Sequence, residues 1–244
     1  MRYVVVTGSN GGIGTAICNY LKEKEYSVIG IDRAKDKNTL DTFIEFDISK
    51  ITSDPVAYDA LNLAITNAIG KNRLLGLVNN AAVQILGNID NTTIVDFKHT
   101  LDVNVVAPFA LTKMLKNKLS QSNGSIVNIG SIHAKLTKPG FISYATSKTA
   151  LLGLTQSLAV DCGNDIRVNA IQPAATATEM LLAGFEDNPT AFNTLKEYHP
   201  TGNIASPREI AVAVKFLLSD EIPFANGTVL DLNGGIGVRL HDPL

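Results

Sequence analysis

Residues 3–14 read Tyr3-Val4-Val5-Val6-Thr7-Gly8-Ser9-Asn10-Gly11-Gly12-Ile13-Gly14. The opening is a short apolar run with three β-branched residues, the composition of a strand buried on both faces. Glycines follow at once, and a stretch of helical period comes after them. A strand that breaks at glycine and turns into a helix leaves the first N–H groups of that helix without partners. Those groups and the helix dipole attract an anion. Glycine also lets backbone approach a pyrophosphate closely. A glycine-rich turn alone is as readily structural; its place between strand and helix makes Gly8, Ser9, Asn10, Gly12, Ile13 and Gly14 candidates to hold a dinucleotide. The spacing departs from G-x-G-x-x-G, because three residues separate Gly8 from Gly12.

Further apolar runs recur at Val28–Ile31, Phe43–Phe46, Leu74–Val78, Ser125–Ile129, Ile166–Ile171 and Thr228–Leu232. Helical periods fall between them, at 12–23, 55–70, 93–118, 143–162 and 207–219. Strands alternating with helices predict an α/β fold, a doubly wound parallel sheet in three α/β/α layers. No repeat or linker divides the chain, so residues 1–244 read as a single domain. One stretch breaks the rhythm: 174–206 is long for a connection between a strand and a helix. Its short apolar groups, Met180-Leu181-Leu182, Phe185 and Phe192, predict one or two short helices. Beyond the carboxyl end of a strand they would form a substrate lid, unless they are merely a surface excursion.

Composition excludes several classes. The net charge of −2 (21 Lys+Arg against 23 Asp+Glu) offers no field for nucleic acid or an anionic membrane. The first residues carry no hydrophobic segment long enough for a signal or a membrane span, which predicts a cytoplasmic protein. Cys18 and Cys162 fit no metal or redox spacing and read as reduced, buried thiols; no metal is expected.

Chemistry concentrates at a few positions. Asp32 closes the second strand, where a carboxylate accepts hydrogen bonds from the adenosine ribose hydroxyls and repels a 2′-phosphate. Its neighbour Arg33 would favour that phosphate. The carboxylate at the ribose edge decides for NAD, with NADP as the alternative. Tyr144 and Lys148 lie four apart on a helix and share a face. Such a pair is often only a solvated surface. Here a cation beside the phenol would stabilise the phenolate, lower a pKa that begins near ~10, and fit Tyr144 for general acid/base work. Ser131 closes the fifth strand, where its hydroxyl can meet a carbonyl oxygen in the ligand crevice.

Taken together, these residues resemble the short-chain dehydrogenases/reductases over essentially the whole chain. The resemblance rests on Thr7-Gly8-x-x-x-Gly12-Ile13-Gly14, Asp47, Asn79-Asn80-Ala81-Ala82, Asn104, Ser131, Tyr144-x-x-x-Lys148, Asn169, Pro173, and Asn226-Gly227 before Gly234-Gly235. It implies a Rossmann-like domain in which Ser131 and Tyr144 hold the substrate oxygen and Lys148 binds the nicotinamide ribose. It also implies that Asp47 and Ile48 contact adenine, that Asn80, Ala81 and Ala82 line the cofactor, and that Pro173, Thr176 and Thr178 lie near the carboxamide. Tyr144 and Lys148 then serve cofactor binding as well as catalysis. Ala82, Ala174, Thr176 and Leu232-Asn233 depart from the usual pattern without removing a catalytic group. The implied assembly is a homo-oligomer, with a tetramer favoured.

The expected activity is hydride transfer between NAD(H) and a small alcohol or ketone. The alternatives are an NADPH-dependent ketone or 3-oxoacyl reductase, a nucleotide-sugar epimerase, and a dinucleotide-binding module without activity. The epimerases' glycine spacing and longer chain do not match, and a module would have no reason to keep Ser131, Tyr144 and Lys148 in register. Gln84 and His133 are candidate substrate contacts alongside Ser131 and Tyr144, although a histidine there is as commonly packed or solvated. Pro108 lies within the expected helix 93–118 and lacks an N–H. In an α-helical register the carbonyl it leaves without a partner belongs to Asn104, and an ordered water there would place Asn104 in a proton path.

Overall fold

The computed structural model describes residues 1–35, 40 and 42–240. Its seven strands are β1 (Arg2–Thr7), β2 (Ser27–Asp32), β3 (Thr42–Glu45), β4 (Arg73–Asn79), β5 (Ser125–Ile129), β6 (Arg167–Pro173) and β7 (Val229–Leu232). They form one parallel sheet in the order β3-β2-β1-β4-β5-β6-β7. Each of the seven apolar runs becomes a strand. The order reverses between β1 and β4, and α/β sheets bind ligands outside the carboxyl ends of the strands at such a point.

Side chains alternate across the pleat and feed two cores. Val5, Ile29, Leu77, Ile126 and Val168 pack with α2 (Pro55–Ile69), α4 (Ala107–Ser120) and α5 (Ile142–Cys162). Val4, Val6, Val28, Val78 and Val127 pack against α1 (Gly12–Glu23) and α8 (Pro207–Leu218). The helix α3 (Ile94–Leu101) leads into α4. Both cysteines are buried, as expected. Among the described residues, no helix is long and apolar enough to cross a membrane.

Two stretches refine the expectations. The helix at 93–118 is not one α-helix. A π turn at Asp102–Val106 divides it, and the Ala107 N–H reaches back five residues to the Asp102 carbonyl. Pro108 then falls in the first turn of α4, where a missing N–H costs little. One extra residue in the turn therefore precedes the proline. At 174–206 two short helices form, α6 (Glu179–Ala183) capped by Thr178 and α7 (Pro189–Tyr198) capped by Asn188.

Candidate active site

The candidate residues gather at and beyond the carboxyl ends of the strands. Gly8 adopts φ +64°, open to glycine at little cost, and a Cβ there would stand 2.8 Å from the Ala81 Cα. A Cβ on Gly14 would strike the Gly8 carbonyl, and one on Gly12 would stand 2.9 Å from the Thr178 methyl. The cap residue Gly11 has no side chain to satisfy the first turn of α1. A tight turn with no room for a Cβ at these three glycines, backed by a helix N-terminus, suits a dinucleotide pyrophosphate.

Asn80 and Thr7 build the other wall. Thr7 Oγ1 accepts from the Asn80 and Ala81 N–H groups at 3.1 Å each. The Asn80 amide donates at 3.0 Å to the carbonyls of both Thr7 and Gly8. Its NH₂ group thus holds the β1 turn against the end of β4. Ala81 is half-buried, while Ala82 and Gln84 are exposed.

At the β2 end, Asp32 Oδ2 accepts from the Asn10 N–H at 3.0 Å, and the Asn10 amide donates to the Ala34 and Lys35 carbonyls. The glycine turn and the ribose edge are thereby one connected unit. Arg33 is exposed. Asp47 caps the short 3₁₀ turn Ile48–Thr52, and Ile48 is buried in the core. Burial raises the Asp47 pKa, but hydrogen bonds from Ser49 and the charges of Lys50 and Arg33 outweigh it and hold the carboxyl below its usual range.

The catalytic candidates converge beyond β5. Ser131 is buried beside the Tyr144 phenol and accepts from the His133 N–H at 3.2 Å. Tyr144 lies in the first turn of α5, with Lys148 one turn on. The Lys148 Nζ donates to the Ile129 carbonyl at 2.8 Å and stands 5.6 Å from the Tyr144 ring centre. Burial lowers Lys148 to about 8. The phenol runs against expectation. Burial raises its pKa, and the Ser131 hydroxyl pulls the other way without prevailing. The ammonium is directed at a backbone carbonyl, so it does not reverse the effect.

His133 is more packed than the sequence shows. Its ring stacks on Phe141 (centroids 4.3 Å apart, planes 7° apart), meets Tyr144 edge-on, and bonds Thr137 through Nδ1 at 3.0 Å. Burial and the Lys138 charge lower its pKa. Lys135 is paired with Asp231 at 2.7 Å. Asn104 is buried inside the π turn, its side chain bonded to Val83 and Ser147. Pro173 ends β6 in the core. Thr176 bonds back to the Ala174 carbonyl, and Thr178 both caps α6 and touches the glycine turn.

Three residues that the sequence reading passed over belong to this assembly: Val83, Phe141 and Ser147. Ser147 carried a signal, since it lies three residues beyond Tyr144 on the same helical face. A cavity of about 570 Å³ at the amino ends of the strands holds no comparable chemistry. Its Arg2 and Arg73 donate to the Lys24 and Ser122 carbonyls beyond the ends of α1 and α4, which is a capping role.

A family model described as enoyl-(acyl carrier protein) reductase matches residues 8–237. The acetoacetyl-CoA reductase of Acinetobacter sp. (strain RA3849) is 32% identical over 244 residues, covering 96% of this chain and 97% of that protein. The ligand-free aldohexose dehydrogenase of Thermoplasma acidophilum superposes with a TM-score of 0.90 at 30% identity, covering 100% of this chain and 96% of that one. ElxO with NADP bound superposes at 0.87 and 25% identity, covering 98% of this chain and 99% of that one. With the glycine turn, the parallel sheet and the Ser131–Tyr144–Lys148 cluster in place, these matches assign the chain to the short-chain dehydrogenase/reductase family, oxidoreductases that act on hydroxyl and keto groups with NAD(H) or NADP(H).

Proposed function

We propose that this enzyme moves a hydride between NAD(H) and a small alcohol or ketone, with Tyr144 as its acid/base. The observation that carries this reading is the gathering of Ser131, Tyr144 and Lys148 in one buried cluster outside the carboxyl ends of the strands. The nicotinamide, when bound, carries the hydride. In reduction the Tyr144 hydroxyl gives its proton to the carbonyl oxygen; in oxidation the phenolate takes it back from the alcohol. Ser131 donates to the same oxygen and fixes its place. The Lys148 ammonium stabilises the phenolate once it forms.

Gly8, Ser9, Asn10, Gly12, Ile13 and Gly14 would hold the pyrophosphate, and Asp32 with Asp47 and Ile48 the adenosine. Asn80, Ala81, Ala82, Pro173, Thr176 and Thr178 would flank the nicotinamide half, with 174–206 as the lid. His133 and Gln84 would meet the substrate, His133 through the ring wall it shares with Phe141. Asp32 supports NAD. The exposed Arg33 favours a second reading, an NADPH-dependent ketone or 3-oxoacyl reductase, and ElxO binds NADP in the same fold. Ile94, Val95, Phe109 and Val160 are exposed apolar residues on α3, α4 and α5, and they support a homo-oligomer, with a tetramer favoured by the family. Incubation with an alcohol and ketone panel and each dinucleotide, read at the nicotinamide absorbance, tests the assignment. Turnover with NAD(H) is expected; no turnover with either dinucleotide would contradict it.

A further inference from the structure

We propose that Ser147 is a positioning residue for the catalytic centre, joining the cofactor loop to the first turn of α5 through Asn104; this rests on Tyr144 being the acid/base. Ser147 is fully buried, and its hydroxyl donates to the Tyr144 carbonyl at 2.7 Å. With its hydrogen committed there, Oγ is left as an acceptor, and the Asn104 Nδ2 donates to it at 2.9 Å. The same carboxamide pairs with the backbone of Val83 like a strand neighbour. Its Oδ1 accepts the Val83 N–H at 2.8 Å, and its Nδ2 donates to the Val83 carbonyl at 2.9 Å.

Both N–H bonds of the Asn104 amide are thus used, one on Val83 and one on Ser147. The Val83 backbone pair fixes which way the amide faces, and the Ser147 oxygen takes its remaining N–H. A flipped amide would set its NH₂ against the Val83 N–H and its oxygen against the Val83 carbonyl, a double repulsion. Val83 continues directly from Asn80-Ala81-Ala82, and Ser147 sits in the chain immediately before Lys148. One hydroxyl therefore ties the wall of the dinucleotide cleft to the turn that presents Tyr144 and Lys148. The π turn at Asp102–Val106 is the element that carries Asn104 into this place.

The test uses Ser147→Ala, Ser147→Thr, Asn104→Ala and the Asn104→Ala/Ser147→Ala pair, compared where circular dichroism shows all of them folded. Ser147→Ala should lower kcat about tenfold and move the pH limb of kcat that belongs to the Tyr144–Lys148 pair, while KM for the dinucleotide stays within about twofold. Ser147→Thr, which keeps the hydroxyl, should retain most of kcat. In the Asn104→Ala background the Ser147→Ala change should add nothing. Independently of turnover, Ser147→Ala should speed amide hydrogen exchange at Val83 about tenfold in the dinucleotide-free protein. Parent-like kcat, pH profile and Val83 exchange in Ser147→Ala would overturn the proposal, as would a full further loss in the Asn104→Ala background. If Tyr144→Phe stays active, the acid/base assignment has failed; if it is inactive while Ser147→Ala matches the parent, only the positioning role has.

Discussion

The Lys148 ammonium donates its 2.8 Å hydrogen bond to the carbonyl of Ile129, the last residue of β5, and so helix α5 is pinned to the sheet at the active site. A buried cation held by one neutral acceptor is expensive, which is why its pKa falls to about 8. The unfolded chain keeps this proton to a higher pH than the folded one. Stability therefore rises with pH between the folded and unfolded values, and the charged form is a burden below pH 8. Between about pH 7 and about pH 10 this group should add up to roughly 3 kcal/mol to unfolding stability. Lys148→Met should lack that rise. Denaturant titrations across the range decide it, and equal slopes in parent and variant would contradict the burial argument.

The glycine turn makes a steric prediction. Gly14→Ala drives a methyl into the Gly8 carbonyl, which is backbone and has no rotamer to yield. The variant should lose roughly 1–3 kcal/mol of stability and most of its dinucleotide affinity. Thermal unfolding and calorimetric titration measure the two, and parent-like affinity would remove the turn from the binding site.

Asp32 should set cofactor preference. Its carboxylate is oriented by the Asn10 N–H, so a 2′-phosphate would meet a fixed like charge. NAD(H) should show the higher kcat/KM, and Asp32→Ala should narrow the gap about tenfold or more. Better efficiency with NADP(H) in the parent would turn the argument to Arg33.

The exposed apolar residues of α3, α4 and α5 predict association. Light scattering at working concentration should give a multiple of the 26.0 kDa chain mass, with the tetramer expected. A monomer would show that these residues are left in solvent.

Much of this was legible in the sequence, and the remainder has physical reasons. The seven apolar runs are strands because a parallel sheet covered on both faces needs nearly continuous hydrophobic sequence. The boundaries of α1 and α8 are marked by glycine and by Ser206-Pro207, which act locally. The π turn was not legible: Pro108 announces a disturbance, but whether a helix answers by kinking or by adding a residue is decided by packing against α5. The direction of the Tyr144 shift was hidden too, since spacing places a cation near the phenol without saying that both are buried. Ser147 shares the helical face of Tyr144, but what its hydroxyl does shows only when Asn104, 43 positions away, is seen to bond it.

The most direct test of the central claim is Tyr144→Phe, assayed for turnover and for dinucleotide affinity on the same preparation. The ring keeps its packing against His133 and Phe141 and loses only the proton donor. The account predicts that kcat falls by about 10²- to 10⁴-fold while affinity stays within about twofold. A variant that turns over at a rate near the parent's would contradict it.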